Sequence, residues 1–156
     1  MGHKMYVSEH TVIVNKPIDV VFKNLACLKG CINWSTLLHA TEKLDDGPTG
    51  AGTRYKHTAG FMGMTSETIQ TVRLYNPPYE FAFGDDKDAN LPAQNHYTLT
   101  EVPEGTQVPL QMTLSPQGGF IGKIATGLLV GRIQKQMYND LNNFKELVED
   151  GVTIHA

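Results

Sequence analysis

FIGKIATGLLVGRIQKQMYNDLNNFKELVED, residues 120 to 150, is the longest stretch of uninterrupted helical pattern in this chain. A helix over its full length would run roughly 45 Å, enough to cross a small domain. From Val130 the apolar residues fall at Ile133, Met137, Leu141, Phe144 and Val148, in steps of three and four. Arg132, Lys135, Asp140, Lys145, Glu146 and Glu149 fill the other faces. That half predicts an amphipathic helix lying on a core. The half from Phe120 to Gly131 carries one charge, Lys123, and sets Gly122, Gly127 and Gly131 among Ile121, Ile124, Leu128 and Leu129. An interior glycine costs a helix about 1 kcal/mol relative to alanine, so these glycines ask for a reason. Three readings stand: they keep one helix face low where it roofs a cavity, they pack closely on another backbone, or the helix starts late. The apolar run is far shorter than the roughly 20 residues a bilayer span needs.

With 156 residues, 40% hydrophobic and 19% charged, the chain has the size and composition of one globular domain, and residues 1–156 are expected to form it. A formal charge of −3 provides no electrostatic footprint for nucleic acid, which is excluded as a partner class. The start, MGHKMYVSEH, lacks the apolar core of a signal peptide, and Tyr6 stands where a myristoylation motif wants Ser or Thr. A cytoplasmic location without an integral membrane segment is the expectation. Cys27 and Cys31 sit four apart on an expected helix and read as two small buried thiols. His3, His10, His39, His57, His96 and His155 are scattered, with no H-x-H or H-E-x-x-H spacing. No metal and no cofactor is expected. A G-x-S-x-G elbow, a P-loop and a dinucleotide fingerprint are also absent from the sequence, and Gly47, Gly50 and Gly52 read as turn glycines.

Working outward from the helix, residues 5–14, MYVSEHTVIV, read as a strand closed before Pro17. Pro17 and Asp19 mark a helix start, Val20, Val21, Leu25 and Leu28 continue it, and a break is expected at Gly30. A second short helix or turn follows through Cys31, Ile32 and Trp34. Strands are then expected at 37–44, 53–58, 64–75, 79–84, 94–102 and 106–114, joined by loops rich in Gly, Pro and Asp. Tyr79, Phe81 and Phe83 alternate against Glu80 and Ala82, and Val108, Leu110, Met112 and Leu114 make the cleanest period-two signal. Short connections imply an antiparallel meander burying one face, and the terminal helix is long enough to cover it.

This order, together with GPTGAGTRY at 47–55, VRLYNPPYEFAF at 72–83 and HYTLTEVPEGTQV at 96–108, resembles the helix-grip superfamily called SRPBCC or START-like. It is most similar to the polyketide cyclase/dehydrase-type branch, with birch-pollen-type allergens as distant relatives. The resemblance covers essentially the whole chain. It implies an α+β, helix-grip fold: a seven-stranded curved antiparallel sheet, two short helices after strand 1, and one long C-terminal helix held by the sheet. It also implies an apolar cavity for lipids, isoprenoids, polyketides or similar molecules. Members include carriers, cyclases and aromatases, hormone receptors and co-chaperones. Pro109 departs from the pattern, since it falls inside an expected central strand, and a bulge or a split strand is expected there.

No catalytic set can be assigned from the residues. His57 shares parity with Tyr55, so the two face one way and are candidates to donate to or orient a ligand carbonyl; a structural hydrogen-bonding role fits as well. Glu67 is a candidate base, with a solvent-facing role as the alternative. His96 has opposite parity to Tyr97 and Leu99, which places it outside if they are inside. The expected ligand-lining residues are Trp34, Tyr55, His57, Met62, Met64, Phe81, Phe83, Tyr97, Leu99, Leu110, Met112, Leu114, Ile124 and Leu128. These side chains either wall a cavity or fill the space themselves. Three functions follow: a binder of a hydrophobic small molecule, a cyclase- or dehydratase-like enzyme using cavity His, Tyr or Glu, or a protein-interaction module of co-chaperone type. The chain is expected to be a monomer or a homodimer.

Overall fold

Period-two alternation carries most of the chain into one sheet. The computed structural model describes residues 5–61, 63–86, 91–117 and 126–152. Among these, the order is β1 (Tyr6–Val14), α1 (Ile18–Leu25), a 3₁₀ turn (Leu28–Asn33), β2 (Leu38–Lys43), β3 (Arg54–Phe61) and β4 (Met64–Asn76). Then come β5 (Glu80–Asp85), β6 (Ala93–Thr98), β7 (Thr100–Val102), β8 (Gly105–Leu114) and α2 (Thr126–Glu149). The strands pair antiparallel in the order β1-β8-β6-β5-β4-β3-β2, with β7 beside β8. The architecture is α+β, a curved antiparallel sheet with a long C-terminal helix.

Several sequence expectations shift in detail. Strand β8 is neither bulged nor split at Pro109: it pairs with β1 in unbroken register, Thr11 opposite Pro109. The interruption falls on its other neighbour. Tyr97 lies opposite Leu110 and Thr100 opposite Gln107, one continuous register, yet the strand expected at 94–102 parts into β6 and β7 at Leu99. Proline has no N–H to give, and the ladder lapses where one is missing. Leu99 turns its own N–H to the Tyr79 carbonyl at 2.7 Å. Gly30 does not break a helix; α1 ends at Leu25, and Gly30 lies buried within the 3₁₀ turn. Strand β4 shifts register between Val72 and Leu74, so Val72 and Tyr75, three residues apart, serve one face. There the Tyr75 ring meets Phe22 at 5.6 Å and Phe81 at 6.2 Å.

Helix α2 lays Val130, Met137, Leu141, Phe144 and Val148 on the core, each 7% exposed or less, with Ile133 half-buried beside them. Phe144 packs edge-on against Trp34 at 5.3 Å. Asp140 accepts from the Thr36 N–H and hydroxyl, both at 3.1 Å, and from the Ser35 hydroxyl at 3.3 Å, which pins the connection before β2 to the helix. Lys145 donates to the Ile13 carbonyl at 2.8 Å, and Glu149 accepts from the Asn15 N–H at 2.8 Å. The helix stops where Gly151 takes a positive φ of 79° and the N–H groups of Gly151 and Val152 cap the carbonyls of Val148 and Leu147. Gly105, at φ 136°, is required for space too, since a Cβ there would lie 2.2 Å from the Val14 carbonyl oxygen.

The helix expected from Phe120 is described only from Thr126; Gly122 and the rest of 120–125 lie outside the described residues. Gly127 and Gly131 are exposed, and an added Cβ at either meets nothing within 4 Å. Neither a low face roofing a cavity nor close packing accounts for those two glycines among the described residues.

Candidate functional site

Strand register sets inward side chains in rows, and composition changes from row to row. Ser8, Met112, Asn95, Phe83 and Val72 lie side by side across five strands. One row further along, Asp85 faces Gln70 and Gln70 faces Tyr55; beyond that, Thr68 faces His57 and His57 faces Thr41. Asp85 thus shares a face with Phe81 and Phe83, and it is 9% exposed. The inner sheet face therefore runs from aliphatic and aromatic side chains into a polar corner made by β2 to β5.

Within that corner Asp85 is held by neutral donors. The Ala93 N–H donates to it at 2.8 Å, the Gln70 side-chain amide donates to it, and Thr68 bonds to it as well. Gln70 also donates to the Thr68 hydroxyl oxygen at 2.9 Å. Burial pushes the Asp85 carboxyl up, and these bonds hold it partly back. His57 is 8% exposed, and burial pulls its ring down to about 4, so the imidazole is neutral at neutral pH. Its Nε2 has no hydrogen-bond partner, nor do the hydroxyl oxygens of Thr41, directly opposite, and Ser8, nor the indole nitrogen of Trp34. Buried polar atoms are almost always paired, so the facing orphans of His57 and Thr41 mark this corner out, whereas Ser8 lies across the sheet on β1 and Trp34 against Phe144. Strands lie about 4.8 Å apart and same-face residues about 6.8 Å apart along a strand, so His57 and Asp85 stand roughly 12 Å apart at Cα. They are two ends of a polar edge and not a bonded dyad.

The other residues singled out from sequence divide clearly. Trp34, Tyr55, His57, Phe81, Phe83, Tyr97, Leu99, Leu110, Met112 and Leu114 are buried. The Tyr55 hydroxyl is spoken for by Thr49 at 2.6 Å, and burial raises its pKa. Tyr97 is pushed up by burial too. Glu67 is a correction: it points to solvent and pairs with Lys56 at 3.5 Å, because strand β4 gives the inner face to Thr68 and Gln70. Leu128 is a second correction, being 76% exposed on the outer side of α2. His96 faces outward and pairs with Glu80 at 2.6 Å. Met62 and Ile124 lie outside the described residues, as does the side chain of Met64. Cys27 and Cys31 are free thiols, and burial raises the pKa of Cys31.

Asp85, Gln70, Thr68 and Thr41 are not among the residues that sequence reasoning singles out. The sequence pattern puts Asp85 in an acidic loop after the strand, although continuing the Tyr79, Phe81, Phe83 alternation by one step reaches it. Among the described residues, no group of three or more His, Cys, Asp or Glu is placed to hold a metal, and no helix is long and apolar enough to cross a membrane. A separate groove of about 350 Å³ lies between α1 and the end of α2, lined by Lys16, Pro17, Val20, Asn24 and Val148, and holds none of the site residues singled out from sequence or from the polar corner.

Comparison with known proteins places this geometry. The family model described as polyketide cyclase / dehydrase and lipid transport matches residues 5–149. No curated protein matches the chain by sequence. Among solved structures, the chain is similar to the Zhui aromatase/cyclase from Streptomyces sp. R1128, with TM-score 0.77, 20% identity and coverage of 94% of each chain. It is also similar to TTHA0849 from Thermus thermophilus, with TM-score 0.76, 17% identity and coverage of 95% of this chain and 99% of that one. Ara h 8.0201 is similar at TM-score 0.67 and 15% identity, over 93% of this chain and 98% of that one. At these identities the structural likeness speaks for the fold alone.

Proposed function

The chain belongs to the polyketide cyclase / dehydrase and lipid transport family, and from that premise we propose that it binds a hydrophobic small molecule, lipid, isoprenoid or polyketide-like, between the inner sheet face and α2. One observation carries this reading. Along an inner face of Phe81, Phe83, Leu110, Met112 and Leu114, polar atoms of Ser8, Thr41 and His57 are buried without partners. A core that existed only to be filled would pair or replace them, because each orphan costs about 1–3 kcal/mol. Apolar walls with a few convergent polar groups are what small-molecule sites are made of.

A cyclase- or dehydratase-like reaction is the second reading, and His57 favours it. A neutral imidazole with a free Nε2 is equipped to exchange a proton with a bound carbonyl or hydroxyl. The similarity in fold to an aromatase/cyclase agrees with this reading. Glu67 and Tyr55 no longer compete for the role, since one faces solvent and the other is bonded to Thr49.

Native mass spectrometry of the freshly purified protein, followed by organic extraction, tests the binding reading. A stoichiometric apolar adduct is expected. A clean apo mass, with no uptake from a panel of lipids and polyketides, would reject it. Substituting His57→Gln then separates the two readings: conversion by the natural protein that the variant loses while still binding marks an enzyme, whereas a carrier converts its ligand in neither form.

A further inference from the structure

The polar corner of the interior says something about which hydrophobic molecules it accepts, and this step rests on the binding reading above. Among the described residues, the buried side chains include one ionisable acid, Asp85, and no lysine or arginine. Every described Arg and Lys is half-buried or exposed, and those near this end have acidic partners outside: Arg54 with Asp45, Lys56 with Glu42 and Glu67, and Arg73 with Asp86, the Arg73 guanidinium reaching Asp85 only at its main-chain carbonyl, at 3.1 Å. The groups that hold Asp85, namely Gln70, Thr68 and the Ala93 N–H, are all neutral. Both of its oxygens act as acceptors, Oδ1 from Gln70 and Oδ2 from the Ala93 N–H, so the corner presents acceptor oxygens with no buried cation beside them, and the field there is negative.

Such a corner treats ligand head groups unequally. A carboxylate entering it would lose its water, meet another carboxylate and find no cation. A hydroxyl or phenol loses far less. It can donate to a remaining lone pair of Asp85 and accept from, or donate to, the unpartnered Nε2 of His57 and hydroxyl of Thr41. The roughly 12 Å between the two ends matches the length of a fused two- or three-ring body, or a folded chain, with a polar group at either end.

We propose that this edge of the inner face, from Thr41 and His57 through Thr68 and Gln70 to Asp85, selects uncharged, hydroxyl-bearing apolar molecules and rejects carboxylates of the same size. The family supplies the hydrophobic pocket; the choice between head groups belongs to these residues of this chain.

The test is displacement of the uncharged fluorophore N-phenyl-1-naphthylamine at pH 7.5 by two matched pairs, 2-naphthol against 2-naphthoate and 1-dodecanol against dodecanoate. The alcohols are expected to displace it at about tenfold lower concentration than the acids, the scale of one buried group left unpaired. Asp85→Asn, nearly identical in shape, is expected to narrow that ratio to about threefold by strengthening the acids. Acids that bind the natural protein as well as or better than the alcohols overturn the proposal, as does a ratio that Asp85→Asn leaves untouched. The natural-protein ratio needs no variant, so if Asp85→Asn fails to fold the proposal stands or falls on that ratio. If neither the fluorophore nor any of the four probes binds, the binding reading itself has failed, an outcome distinct from binding without selectivity.

Discussion

One sheet carries two interiors. Beneath the C-terminal part of α2, Leu141, Phe144 and Val148 meet Val14, Val21, Leu25, Leu28 and Val108, all 2% exposed or less and all apolar. Toward β2–β5 the same face carries His57, Gln70 and Asp85, and polar atoms there lack partners. The first region gains about 1.5–3 kcal/mol for each large side chain it hides. The second gives stability away, since a buried polar atom without a partner is a net cost. Departures from good packing practice concentrate where a protein acts, and the contrast separates the part of the interior that makes the fold from the part that meets a ligand.

Truncation should expose that contrast most strongly. Phe144→Ala removes a fully buried ring from between the helix and Trp34 and is expected to cost about 3–5 kcal/mol in urea unfolding. A loss under about 1 kcal/mol would mean that the apolar half is loosely filled and the contrast is false.

Acid should act on the other half. The ordinary histidine value is 6.5, and burial takes His57 to about 4 in the folded chain. Between these values the unfolded chain takes up a proton that the folded chain refuses, so stability falls as the pH is lowered through that window. The full effect is about 3 kcal/mol. Asp85 acts in the opposite sense, because its raised pKa lets the folded chain protonate first, and its contribution to stability grows as the pH falls toward 3.8. Unfolding followed at steps from pH 7 to 4 should show the histidine effect in the natural protein and a flatter profile for His57→Gln. Identical profiles would place His57 in contact with water.

Asp85 offers a finer cut. Asp85→Leu leaves the Ala93 N–H without an acceptor and takes from the Gln70 amide one of its two acceptors, the other being Thr68, and a loss of about 2 kcal/mol is expected. Asp85→Asn removes a buried charge but turns an NH₂ group toward one donor, and these effects should offset to within about 1 kcal/mol. Equal losses for the two would show that the carboxyl oxygens do not organise the corner.

The apolar interior is far more legible in sequence than the polar one, for a physical reason. Burial of hydrocarbon imprints a period, so the 3.6 repeat at Met137, Leu141, Phe144 and Val148 and the alternation through Val108 to Leu114 reveal α2 and β8 directly. His57 is legible by parity with Tyr55. Asp85 is not, because the rule that ends a strand at its last apolar residue fails when the next inward residue is a carboxyl group with three donors waiting. Those donors come from residues eight to seventeen positions away, and local pattern carries no trace of them. Pro109 reads in sequence as a defect in its own strand, whereas the missing N–H is felt by the neighbour it would have bonded.

The smallest expected effect marks where the helix leaves the interior. Leu128 and Val130 are two positions apart on α2, about 200° around the axis, and their exposures are 76% and 2%. In sequence both belong to one apolar run, and an all-round apolar half would bury both. The structure instead makes this first described turn one-sided, like the rest of α2. Leu128→Ala should then change stability by less than about 0.5 kcal/mol, since no packed contact is lost. Val130→Ala removes two methyl groups from a closed site and should cost about 2 kcal/mol. Chemical denaturation of the two single variants decides it. Equal losses would mean that both sides of this turn are covered in solution, and the apolar region would then extend past Val130 around the helix.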